Sequence, residues 1–225
     1  MNILLKELKS FSKENWWIFL LLIISLVTVY VTGKGNIIEI SLLFLANFLG
    51  NIFIMVMQSN YTNGNNKQGS INQITSNLIF TFVSLYGLIY LGQSQYLIWQ
   101  IAYILASVKN LVYFNFNNEL KYLSEKTFIP LNIVLFMIFI NFFSFELYSI
   151  LQAIGFCLIT TGLVSIIDKN RYWLNVIGIG LLTLGSLIGV INSFNLGNLD
   201  GIAFGYFTLT GTVFIYYLKL IKKYI

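Results

Sequence analysis

Eight long apolar runs, parted by short polar breaks, limit what this chain can become. They fall at residues 16–32, 37–57, 74–91, 95–114, 128–144, 146–167, 173–194 and 201–218. Each is roughly 17 to 22 residues long, enough helix to cross a hydrocarbon core about 30 Å thick. The runs are continuous rather than alternating, so helices fit and membrane β-strands do not. Charged residues make up 9% of the chain, against about a quarter in a soluble domain. Such a chain cannot clothe a globular surface in polar groups, and lipid is the solvent that suits it. The single proline and the scarcity of polar loops argue against separate soluble domains. The expectation is an all-α integral membrane protein, one transmembrane domain over residues 1–225.

Several function classes drop out early. Cys157 is the only cysteine and there is no histidine. No intrachain disulfide or thiolate cluster can form, and the commonest metal ligand and general base is missing. No nucleophile–base pair stands out, so catalytic and metal sites are expected to be none, and no cofactor is implied.

Basic residues orient the chain. With eight spans and a cytoplasmic N-terminus, the inner side holds Lys6, Lys9, Lys13, Lys67, Lys109, Lys121, Lys126, Lys169, Arg171, Lys219, Lys222 and Lys223. Lys34 alone falls outside. That asymmetry follows the positive-inside rule and places both termini in the cytoplasm. The net charge of +5 is therefore a topology signal, and nucleic-acid binding has no support. Lys6, Lys9 and Lys13 before the first run could open a secretion signal. That run ends in "TGKGN" without a small-x-small cleavage site, so a retained helix is expected. Glu39, Glu146 and Asp200 all start spans on the outer side, where a helix N-terminus favours a carboxylate.

Two spans open alike: "EISLLFLA" from Glu39 and "ELYSILQA" from Glu146. Both run inward, both are followed by a basic inner loop, and each next span carries an amide near its start, Asn77 and Asn175. Spans two to four and six to eight then form two parallel triplets. The predicted organisation is an N-terminal extra helix over 1–36, a first triplet over 37–114, a linker helix over 115–144 and a second triplet over 145–225. This is a seven-helix 3+1+3 core plus one. Parallel repeats of this kind bind substrate near the midplane between the halves.

The amides are the chemistry. An unpaired polar group in hydrocarbon costs several kcal/mol, so amides there should face the bundle or a wet cavity. Candidates are Asn47, Asn51, Asn77, Gln100, Gln152 and Asn175. Asn47 and Asn51 share a helical face, as do Gln100 and Tyr103 beside Trp99. Gln95 and Asn72 lie near interfaces, where water can satisfy them. Two readings stay open for each buried amide: a hydrogen bond between helices, or a contact to a neutral, ring-bearing ligand. Trp16 and Trp17 suit an interfacial aromatic belt; Trp173 suits either a belt or a site. Gly185 and Gly189 form a small-xxx-small face for close helix packing.

Two segments bring a family into view. "QYLIWQIAY" and "DKNRYWLNVIG" resemble the Pnu-type vitamin transporters, whose best-known members carry nicotinamide riboside. The resemblance covers roughly residues 37–223 and includes the triplet–linker–triplet plan. It implies that Gln100 and Tyr103, with Trp173 and Asn175, face the substrate; Asn77 and Asn47 join them on the grounds given above. It also implies a plasma-membrane permease, not an enzyme, for a neutral vitamin precursor or nucleoside. Its substrate would be trapped by phosphorylation in the cytoplasm. The absence of histidine and of mid-membrane carboxylates leaves no proton relay, which favours facilitated diffusion. The alternatives are a substrate-capture subunit of an energy-coupling vitamin importer and a structural membrane protein without a ligand. The expected partners are a small-molecule substrate and membrane lipid; assembly into a homo-oligomer stays open.

Overall fold

The computed structural model describes residues 9, 11–32, 37–91, 104, 134, 147–164, 172–196 and 201–221. Its elements are six helices: α1 (Trp16–Thr32), α2 (Ile37–Thr62), α3 (Asn66–Leu91), α4 (Leu147–Val164), α5 (Tyr172–Asn195) and α6 (Gly201–Ile221). No strand occurs among the described residues. Segments Ser41–Thr62, Tyr172–Asn195 and Phe204–Ile221 are long and apolar enough to cross a membrane, and Leu147–Ile159 is a shorter apolar helix. The predicted spans at 95–114 and 128–144 lie almost wholly outside the described residues, as do Gln95, Glu146 and Asp200.

In hydrocarbon a helix satisfies its own backbone, and side-chain hydroxyls must then find a local acceptor. They do so along each long helix. Thr81 donates to the Asn77 carbonyl at 2.7 Å, Thr183 to Ile179 at 2.8 Å, Ser186 to Leu182 at 2.7 Å and Thr212 to Thr208 at 2.7 Å.

Packing runs through two central helices. α2 packs on α3, α6 and α1, while α6 packs on α5, α2 and α1. α4 lies against α5. The extra N-terminal helix is therefore no outrigger: it meets a helix from each predicted triplet. Ile18 is fully buried, and Phe19 stacks edge-on against Phe48 of α2 at 5.9 Å. Just before α1, the Phe11 ring meets Tyr216 of α6 at 5.4 Å. The buried Asn15 side chain donates to the Phe11 carbonyl and accepts Lys219 Nζ, each at 3.0 Å. At the same end, the Tyr172 hydroxyl at the start of α5 donates to the Tyr217 carbonyl at 2.9 Å. Lys9, Lys13 and Lys219 thus lie near one end of the bundle.

The closest helix contact is between α4 and α5, and it rests on glycines. A Cβ on Gly178 would stand 2.8 Å from the Gly155 carbonyl oxygen, and a Cβ on Gly155 would stand 2.8 Å from that of Gly178. Two turns away, a Cβ on Gly185 would meet the Tyr148 carbonyl at 3.0 Å. Gly178 and Gly185 are seven apart, as are Tyr148 and Gly155, so the two helices keep one register. Gly189 stands one turn further along, about 40° round from Gly185 and on the same face, and among the described residues nothing lies within 4 Å of a Cβ built there.

Candidate binding site

Segment 58–76 is rich in Asn, Gln, Ser and Tyr and separates two apolar runs, so hydropathy marks it as a loop. It is instead the tip of a helical hairpin. α2 continues to Thr62 and α3 already begins at Asn66. Only residues 63–65 turn, with Gly64 at φ 79°. Asn65 N–H donates to the Asn60 carbonyl at 2.8 Å and Gly64 N–H to the Tyr61 carbonyl at 3.2 Å. These are the paired bonds that close a helix with a left-handed glycine.

The polar residues of this tip are buried against one another. Ser70 and Asn72 have no exposed surface, and Gln58, Gln73, Ser76 and Asn77 have almost none. The Tyr61 hydroxyl donates to Gln73 Oε1 at 2.8 Å and lies 3.0 Å from Ser70 Oγ. Ser76 Oγ reaches across to the Gly50 carbonyl at 2.9 Å. Space for these bonds comes from glycine: a Cβ on Gly69 would strike the Tyr61 ring at 2.8 Å, and one on Gly50 the Phe80 ring at 2.8 Å. Asn72, expected to be solvated at an interface, is thus a core residue. Its burial was signalled in the sequence only by the amides that recur on α3 at 72, 73 and 77.

The described members of the predicted site lie on three helices, α2, α3 and α5. Asn175 is buried on α5, one turn before Gly178, and its Oδ1 has no hydrogen-bond partner among the described residues. Trp173, two residues earlier, is half exposed and shares a face with Ile177, Leu184 and Ile191, which are also exposed. About 200° of helix separates it from Asn175, and that exposed apolar stripe suits lipid contact. Asn77 is buried on α3. α3 packs on α2, whereas α5 packs on α4 and α6, so no substantial packing joins the helices of Asn77 and Asn175 among the described residues. Asn47 is half-buried on α2, its Nδ2 donating to the Leu43 carbonyl at 3.2 Å. Gln100 and Tyr103 lie outside the described residues. Gln58 and Ser149, which sequence reasoning passed over, are buried with side-chain oxygens that lack a partner.

These interior positions have one chemistry in common. Every buried polar side chain among the described residues is an amide or a hydroxyl; none is ionisable at neutral pH. No cluster of three or more potential metal-ligating side chains occurs among them. Such an interior can exchange hydrogen bonds and offer aromatic faces. It holds no fixed charge for an ion and no pair for proton transfer.

No family model, no curated protein and no solved structure matches the chain. The functional reading therefore rests on the residues and their geometry.

Proposed function

We propose that this chain is a membrane permease for a small, hydroxyl-bearing ring compound, a nucleoside or vitamin precursor, working by facilitated diffusion. The observation that carries the reading is the buried carbonyl oxygen of Asn175, which has no partner among the described residues, whose buried polar side chains are all uncharged. A buried acceptor without a bond costs roughly 1–3 kcal/mol; a bundle that keeps one has a use for a donor that comes and goes. The likeness of "QYLIWQIAY" and "DKNRYWLNVIG" to the Pnu-type transporters supplies the substrate class. Nicotinamide riboside itself carries a delocalised pyridinium charge, which acceptor oxygens and aromatic faces accommodate without a carboxylate. Uncharged nucleosides need only the hydroxyl contacts.

The proposed arrangement is eight spans in the plasma membrane, both termini cytoplasmic, with a 3+1+3 core behind the N-terminal helix. Gln100, Tyr103, Asn77 and Asn175 remain its proposed contacts, with Asn47 and Trp173 weaker members. A thermal-shift screen of the purified protein against nucleosides and vitamins tests the reading, because a ligand that binds the folded state raises its melting midpoint. A hit that also crosses proteoliposome membranes supports a permease. A stoichiometric transmembrane partner with ATPases, recovered from the host membrane, would instead establish a capture subunit. Cysteine labelling from outside should reach a Cys at position 198 and miss one at position 118; the reverse pattern inverts the topology.

A further inference from the structure

α2 has two contrasting faces. Leu42, Leu45 and Leu49 are exposed on one. At about 100° per residue, Asn47, Asn51 and Gln58 cluster within about 40° on the opposite one, some 170° away. The neighbours agree with that placement. Gly50 and Tyr61 meet α3, whereas Phe48 meets α1, so the amide face looks into the bundle between them. Across the antiparallel hairpin, the adjoining face of α3 carries Asn77 and Ser84, both buried.

The amides on this face are bonded in a telling way. Asn47 Nδ2 donates to the Leu43 carbonyl at 3.2 Å, and Asn51 Nδ2 donates to the Asn47 carbonyl at 2.8 Å. Each spends an amide hydrogen on its own helix, which leaves the acceptor oxygen out of that bond. Asn15 does the same, with Nδ2 on the Phe11 carbonyl, and its oxygen is taken by the Lys219 ammonium. About two turns beyond Asn51 along the stripe, Gln58 is 1% exposed, and its Oε1 has no partner among the described residues. The three oxygens span about 16 Å of helix, too long for one contact and about half the thickness of the hydrocarbon core.

We infer that the face of α2 bearing Asn47, Asn51 and Gln58 lines a hydrated polar track that takes solutes by their hydroxyl and amino hydrogens. A row of acceptors lets a solute exchange one hydrogen bond for the next, so no single position holds it tightly. Where that track leads rests on the permease reading; that it is wet and acceptor-lined does not.

Single cysteines at 45, 47, 49 and 51, in a Cys157→Ser background, test it in opened membrane vesicles with a small hydrophilic methanethiosulfonate. Positions 47 and 51 should react at least tenfold faster than 45 and 49; equal rates would overturn the track. Gln58→Met removes an unsatisfied acceptor at nearly constant volume, so the melting midpoint without ligand should hold or rise. A fall of several degrees would make Gln58 a structural residue and defeat the inference. In proteoliposomes loaded from outside with uridine or nicotinamide riboside, Asn51→Leu should slow entry at least tenfold, and unchanged entry counts against the track. A wild type that passes neither probe while 47 and 51 still react selectively would sink the permease reading and leave the track standing.

Discussion

Substituting Gly178 by alanine should damage the α4–α5 seam, while the same change at Gly189 on the same helix should not. A methyl group at 178 would lie 2.7 Å from Ile159 Cγ1, 2.8 Å from the Gly155 carbonyl oxygen and 3.0 Å from the Ile159 nitrogen. Two of those three atoms are backbone, so rotamer changes relieve little and the helices must part. Overpacking of this kind costs about 1–3 kcal/mol. Alanine returns about 0.5–1 kcal/mol through its better helix propensity, leaving a net loss of about 1–2 kcal/mol. At Gly189 nothing among the described residues stands within 4 Å, so only the gain remains. The two variants should differ by about 2 kcal/mol, which for a chain of this length is about 4–8 °C in melting midpoint. Because each new methyl strikes the other glycine's carbonyl, Gly155→Ala added to Gly178→Ala should cost less than the sum of the two. Thermal unfolding in detergent, followed by circular dichroism, reads all four proteins. A Gly178→Ala protein as stable as Gly189→Ala would refute the close-packed seam.

Tyr61→Phe removes the donor to Gln73 Oε1 from a buried site and should lower stability by about 1–3 kcal/mol in the same melts; no change would mean the hairpin tip is wet. Asn175→Ala should leave the ligand-free melting midpoint within about 2 °C, because its Oδ1 gives up no bond. It should weaken an identified ligand about two- to tenfold by isothermal titration; the opposite pattern makes Asn175 an interhelical contact. Uptake into empty liposomes should reach equilibrium without a proton gradient and ignore an imposed one. Accumulation that a protonophore abolishes would require a titratable group this interior does not show.

Helix placement was largely readable from hydropathy. The runs at 16–32, 173–194 and 201–218 became Trp16–Thr32, Tyr172–Asn195 and Gly201–Ile221. The run at 146–167 became Leu147–Val164. The failure was local and instructive. Hydropathy reports which solvent a residue prefers, and at 58–76 the polar groups of two helices serve as solvent for each other through Tyr61, Ser70, Gln73 and Ser76. Residue type alone cannot separate a wet loop from a self-satisfied hairpin tip. The glycine seam was legible only in part: Gly185 stood out by its spacing, whereas the pairing of Gly178 with Gly155 shows only once the partner helix is in place. Amides fared similarly. Asn47, Asn77 and Asn175 were legible as polar groups in apolar runs, but which end of each amide is spoken for depends on carbonyls that composition does not reveal.

The bond from Lys219 to Asn15 joins residues 204 positions apart, and that distance has a consequence for how the molecule is made. Helices leave the ribosome in order, so α1 is in the membrane long before α6 exists. Until then Phe11 and Asn15 lack the Tyr216 and Lys219 contacts, and α1 waits for α6. A ribosome that stalls before α6 leaves a bundle open along that whole side, with an unsatisfied amide at its mouth. Synthesis of α6 and closure of that side of the bundle are thereby one event. Proteolytic surveillance of membrane proteins could read that exposed seam as the mark of an unfinished chain.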